Sequence, residues 1–80
     1  MPVVLRYKNF RLFFYSNEGN PREPLHIHIR KGEAVAKFWV EPEVKLASSY
    51  GMTSSELTEL AGIVSDNRDT IERAWHEFFG

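Results

Sequence analysis

The stretch Leu25-His26-Ile27-His28-Ile29-Arg30 alternates apolar and polar side chains one by one, as a strand with one dry and one wet face requires. Leu25, Ile27 and Ile29 point one way; His26, His28 and Arg30 point the other. Upstream, Val3-Leu5-Tyr7 and Phe10-Leu12-Phe14 form two apolar rows on either side of Lys8-Asn9. A two-residue hairpin loop there pairs Tyr7 with Phe10, Leu5 with Leu12 and Val3 with Phe14, which puts both rows on one face. Val4, Arg6, Arg11, Phe13 and Tyr15 then share the opposite face. Downstream, a turn at Lys31-Gly32 pairs Arg30 with Glu33, Ile29 with Ala34, Ile27 with Ala36 and Leu25 with Phe38. Its wet face collects His26, His28, Arg30, Glu33, Val35, Lys37 and Trp39.

Punctuation residues divide the rest. Ser16–Pro24, with Asn17, Gly19, Asn20, Pro21 and Pro24, is a loop by composition. Glu41-Pro42-Glu43 is a turn, Val44-Lys45-Leu46 a short final strand, and Ser48–Met52 a loop around Gly51. Thr53-Ser54-Ser55-Glu56 has the form of a capping box. Behind it Leu57, Leu60, Ala61, Val64, Ile71, Trp75, Phe78 and Phe79 recur at helical spacing. Asn67 and Arg68 interrupt the stripe midway, which would also fit a break there, but no proline does, so one helix over 54–79 is expected. It would be about 39 Å long against about 23 Å for a seven-residue strand, and so would overhang its sheet. The expected fold is α+β: an antiparallel sheet of about four or five strands, with two N-terminal hairpins, packed on a C-terminal helix. Residues 1–80 form a single domain, with the sheet over about 3–48 and the helix over about 54–79.

Composition narrows the class. Eighty residues, 42% of them hydrophobic, can bury roughly 60% of the unfolded chain's surface. The absence of cysteine excludes disulfides and thiolate metal sites. Met1-Pro2-Val3-Val4-Leu5-Arg6 is too short an apolar run for a signal peptide, and no stretch approaches the ~18 apolar residues of a membrane helix. A cytoplasmic protein with no membrane partner is expected. The net charge of −1 conceals an asymmetry. Arg6, Lys8, Arg11, Arg22, Arg30, Lys31, Lys37 and Lys45 precede Ala47, whereas Glu56, Glu59, Asp66, Asp69, Glu72 and Glu77 follow it. Two surfaces with different partners would account for that, as would plain solvation of a sheet and a helix.

Candidate chemistry gathers on the histidine strand. Two imidazoles about 6.5–7 Å apart along one strand face suit the two sides of a phosphodiester. One would take the 2′-hydroxyl proton and the other protonate the leaving oxygen. In that metal-independent ribonuclease reading, with no cofactor, His26, His28 and Arg30 are the catalytic candidates, Arg30 countering charge on phosphorus. Arg11, Phe13, Tyr15, Lys37 and Trp39 are the nucleic-acid-binding candidates, combining cations with rings that stack on unpaired bases. Alternatively His26 and His28 hold zinc or nickel with Glu33, or Glu41, as third ligand. His76 falls off the apolar stripe and suits an exposed cation at a helix C-terminus. The plainest alternative gives the histidines no chemistry, on a sheet that serves a non-enzymatic protein-interaction module. Trp75, Phe78 and Phe79 are core residues or, on an overhanging helix, a surface for a second copy or a cognate partner.

Glu23-Pro24-Leu25-His26-Ile27-His28-Ile29, preceded by Phe13-Phe14-Tyr15-Ser16-Asn17-Glu18, resembles a family of small prokaryotic proteins catalogued as domain of unknown function 4160. Lys37-Phe38-Trp39 and Trp75-His76-Glu77-Phe78-Phe79 extend the resemblance over nearly the whole chain. The family's usual Pro-His-Ile-His-Val stands here as Leu25-His26-Ile27-His28-Ile29. The resemblance implies a small two-gene locus of toxin–antitoxin type and hence a cognate partner protein. It supplies no mechanism.

Overall fold

The computed structural model describes residues 3–15 and 23–79. The loop expected over Ser16–Pro24 therefore lies, as far as residue 22, outside the described residues. Five strands, β1 (Val3–Tyr7), β2 (Phe10–Phe13), β3 (His26–Lys31), β4 (Ala34–Trp39) and β5 (Lys45–Tyr50), form one antiparallel sheet in sequence order. Two helices follow, α1 (Ser54–Asp66) and α2 (Arg68–Phe79). The architecture is the expected α+β type.

The dry face is the one that alternation selects. Leu12, Ile27, Ile29, Ala36 and Phe38 are buried and pack with Leu60 and Val64 of α1 and Ile71 of α2. Full burial of each large aliphatic side chain contributes about 1.5–3 kcal/mol relative to exposure. No helix among the described residues is long and apolar enough to cross a membrane.

Both hairpins form, with corrected registers. In the first, Tyr7 faces Phe10 and Leu5 faces Leu12, but Val3 faces Phe13 rather than Phe14. The register shifts between Val3 and Leu5, an extra-residue kink that releases Phe14 from pairing. Phe14 is instead fully buried, 5.2 Å from the Trp75 ring and 5.7 Å from Phe79. In the second hairpin the turn is Gly32-Glu33, because Lys31 faces Ala34, Arg30 faces Val35 and Ile27 faces Phe38. Gly32 has the left-handed φ of 60° that glycine adopts without a Cβ penalty. The displacement is two residues, so every side chain keeps its expected face.

Two further expectations are corrected. The loop expected from Ser48 is strand: β5 continues to Tyr50, with a register shift opposite Lys37/Phe38 that leaves Ala47 unpaired. All six residues of this edge strand are exposed, so no apolar alternation marks it. The single helix is two. Asn67 caps α1 with φ −113° and ψ 20°, its side-chain amide donates to the Ile63 carbonyl at 2.9 Å, and its own carbonyl starts α2 by accepting from Ile71 N–H. An unbroken helix of about 39 Å would exceed the molecule's longest dimension of 33 Å. Breaking it folds Ile71 onto the core and removes the overhang.

The start of α1 is the predicted capping box. The Thr53 hydroxyl accepts from Glu56 N–H at 3.0 Å, and the Glu56 carboxylate accepts from Thr53 N–H at 2.9 Å. The same helix is tied to both hairpin turns. Lys31 donates to Glu56, while Lys8, with φ 52° in its turn, donates to Glu59 at 2.7 Å beside the Tyr7 hydroxyl, which donates to the same oxygen. The Lys31 ammonium, then the Thr53 backbone, hold the Glu56 carboxyl below its ordinary range. Lys8, then Tyr7, do the same for Glu59. That clamp fixes the helices to one face and leaves the other free of them over most of its area.

Candidate nucleic-acid interface

Cross-strand register orders the second face into rows. Arg6 faces Arg11, Arg11 faces Arg30, Arg30 faces Val35 and Val35 faces Tyr50, one residue from each strand. The next row is Phe13, His28, Lys37 and Ser48, and beyond it His26 faces Trp39, which faces Lys45. Directly opposed residues have Cβ atoms about 4.5–5.5 Å apart. Three guanidinium groups therefore stand side by side across β1, β2 and β3. Like charges so placed destabilise a sheet, and among the described residues none of the three is ion-paired to a carboxylate. The Nε of Arg30 is buried with no hydrogen-bond partner among the described residues.

Beside this row lies an aromatic cluster. Tyr15 stands edge-on to His28 with centroids 4.5 Å apart, and both rings cover Phe13, at 5.2 Å and 5.9 Å. Phe13 is consequently only 4% exposed. It supports the face and does not present a ring to a ligand, contrary to its expected stacking role, whereas Tyr15 is exposed.

The two histidines part company. Both were expected on an exposed surface, but His26 is 0% exposed and His28 is half-buried. The His26 ring is walled by Trp39 at 5.6 Å, Trp75 at 5.4 Å and His28 at 5.2 Å. Its Nδ1 lies 2.9 Å from the Pro24 carbonyl oxygen; a carbonyl only accepts, so Nδ1 carries the hydrogen. Period-two alternation identifies a residue's face and says nothing of what covers it; here Trp75 reaches across from α2. Lys37 is also committed. Its Nζ is 3.1 Å from Glu23 Oε1 and 4.5 Å from the Trp39 ring centroid. The same Glu23 oxygen lies 3.7 Å from His26 Nδ1.

Of the expected catalytic set, then, the structure brings His26 and His28 together but puts Arg30 in the arginine row. Of the expected binding set, Arg11 and Tyr15 are presented to solvent, Trp39 is half-buried under Lys37, and Phe13 is covered. The metal alternative lacks its geometry: Glu33 is in the β3–β4 turn, at the far end of β3 from His26. No three of His, Asp and Glu gather as a metal site among the described residues. His76 is exposed in the last turn of α2, as expected. Arg6, which the Lys8-Asn9 hairpin already places on this face beside Arg11, is given no binding role by the sequence, and Ser48 and Tyr50 are missed because their stretch is expected to be a loop.

No curated protein and no solved structure matches the chain. Residues 9–76 match the family described as Domain of unknown function (DUF4160), and with most of its length so matched the chain belongs to that family.

Proposed function

We propose that this chain binds single-stranded RNA across the open face of its sheet, as one component of a toxin–antitoxin-like pair acting in the cytoplasm. The observation that carries the reading is the row Arg6–Arg11–Arg30. Three adjacent cations that repel one another, and that no carboxylate among the described residues matches, are stabilised by an anion with repeated charges. A phosphodiester backbone is such an anion, and guanidinium groups match phosphate geometrically. The neighbouring Tyr15, Trp39 and His28 rings add stacking surface, which serves unpaired bases without demanding a sequence.

The geometry favours binding over cleavage. Acid–base cleavage needs both imidazoles within reach of one phosphodiester, and His26 is enclosed between two tryptophans. His28 can contact a bound strand; His26 orders the face beneath it. The test is fluorescence anisotropy with a labelled single-stranded RNA over a range of salt concentrations. Three phosphate contacts give a log–log slope of about −2, at ~0.7 per contact for a single strand. The RNA should remain intact in the presence of a chelator. Absence of binding at low salt would overturn the proposal and return the sheet to a protein-interaction role. Chelator-resistant cleavage that His26→Ala and His28→Ala each abolish would restore the ribonuclease reading.

A further inference from the structure

The arginine row does not stop at Arg30. The next two positions across the sheet are Val35 and Tyr50, and they border a depression of about 280 Å³ lined by Tyr15, His28, Val35, Lys37, Ser48 and Tyr50. We infer that this depression takes the base of one unpaired nucleotide whose phosphate lies on the arginine row. The inference rests on the RNA-binding reading and names the group that is read.

Five observations converge on it. The volume falls just under the ~300–1,000 Å³ of pockets for drug-sized ligands, which suits a single heterocycle. Val35 supplies an apolar side chain to the lining, and tyrosines border the pocket from β5 and from the residue pair after β2. Tyr50 is 73% exposed, the most exposed large hydrophobic side chain among the described residues. An aromatic ring left in solvent beside a hollow offers a face on which any base can stack. The Ser48 and Tyr50 hydroxyls supply donors and acceptors for a base edge or a ribose hydroxyl. Val35 and Tyr50 end the arginine row, while His28, Lys37 and Ser48 belong to the next row, so the pocket lies at the end of the arginine row and to one side of it, within reach of a nucleotide whose phosphate sits on the arginines.

Two-dimensional amide NMR with adenosine 5′-monophosphate, and ribose 5-phosphate as its baseless control, tests this directly. The nucleotide should shift the amide signals of Val35, Ser48 and Tyr50 saturably, and ribose 5-phosphate should not. Tyr50→Ala, at so exposed a position, leaves the fold intact. It should weaken the nucleotide about tenfold or more, the scale of one lost base–aromatic stack. The salt slope for a longer RNA should be unchanged, since no phosphate contact is removed. Equal shifts from ribose 5-phosphate, or unaltered nucleotide affinity in Tyr50→Ala, would overturn the base pocket. A longer RNA that fails to bind at low salt, while the nucleotide still occupies the pocket, would overturn the RNA surface and spare the pocket.

Discussion

Replacing Arg11 by threonine should stabilise the protein and weaken RNA binding at once. Arg11 is the middle of the row, opposed by Arg6 on β1 and by Arg30 on β3. Each like-charge neighbour contributes a repulsion whose size in water is about 1 kcal/mol at 4 Å. Long, partly solvated side chains splay apart, so the lower part of the 0.2–1 kcal/mol range for cross-strand pairs applies. Removing both repulsions, and placing a β-branched residue in a strand, gives a net gain of about 0.5–1 kcal/mol. For a domain of this size that corresponds to a rise in Tm of roughly 2–8 °C. The gain should fade in 1 M salt, where the screening length falls to about 3 Å. In the same variant the salt slope for RNA should drop by about 0.7, one phosphate contact of three. Thermal melts at low and high salt, paired with anisotropy titrations, measure both. A lowered Tm in Arg11→Thr, or an unchanged salt slope, would refute the argument that the row is strained and held for an anion.

Other expectations follow from the fold. Ile27→Ala, at a fully buried position between the sheet and the helices, should cost about 2–5 kcal/mol by denaturant unfolding; a cost below 1 kcal/mol would contradict the core assignment. Thr53→Ala removes the hydroxyl arm of the capping box and should cost about 1 kcal/mol, whereas an unaffected midpoint would argue that the box is idle. Glu56 and Glu59 are held below the ordinary carboxylate range by Lys31 and by Lys8 with Tyr7. Their contribution is therefore complete above the unfolded-state value of about 4.3 and is lost as pH falls through their lower folded values. Stability should thus be level from pH 6 to 5 and decline below about 4.5. A Glu56→Gln, Glu59→Gln double variant should show a shallower acid decline, and an identical one would sink the clamp.

The faces of this sheet could be read directly because alternation is a property of adjacent residues. Ile27 and Ile29 cannot share a side with His26 and His28 in an extended chain, whatever the turn. Register was less legible. Gly32-Glu33 and Lys31-Gly32 are both acceptable two-residue turns by composition, and only the full ladder to Trp39 distinguishes them. The two-residue error was harmless to the faces because strand periodicity is itself two. Only the start of β5, at Lys45-Leu46, was legible, and its continuation to Tyr50 left no pattern, since an exposed edge strand is held by backbone hydrogen bonds that any side chain permits. The break at Asn67 shows in the sequence only as a gap in the apolar stripe, because whether the helix breaks there depends on how much helix the sheet can cover. At the candidate interface the arginine row needed the β2–β3 pairing that joins Arg11 to Arg30 across nineteen positions. The burial of His26 needed the arrival of Trp75 from the other end of the chain. Both are consequences of distant segments meeting, which is where residue-by-residue inference ends.

On the proposed reading, RNA lies across the arginine and aromatic face and not on the helices. A titration of isotope-labelled protein with single-stranded RNA, followed through backbone amide and arginine side-chain signals, tests it most directly. Arg6, Arg11, Arg30, Tyr15, His28 and Tyr50 should shift together, saturably and less at high salt, while exposed helix positions such as Thr58 and Glu77 stay still. Shifts confined to α1 and α2, or none at all at low salt, would contradict it.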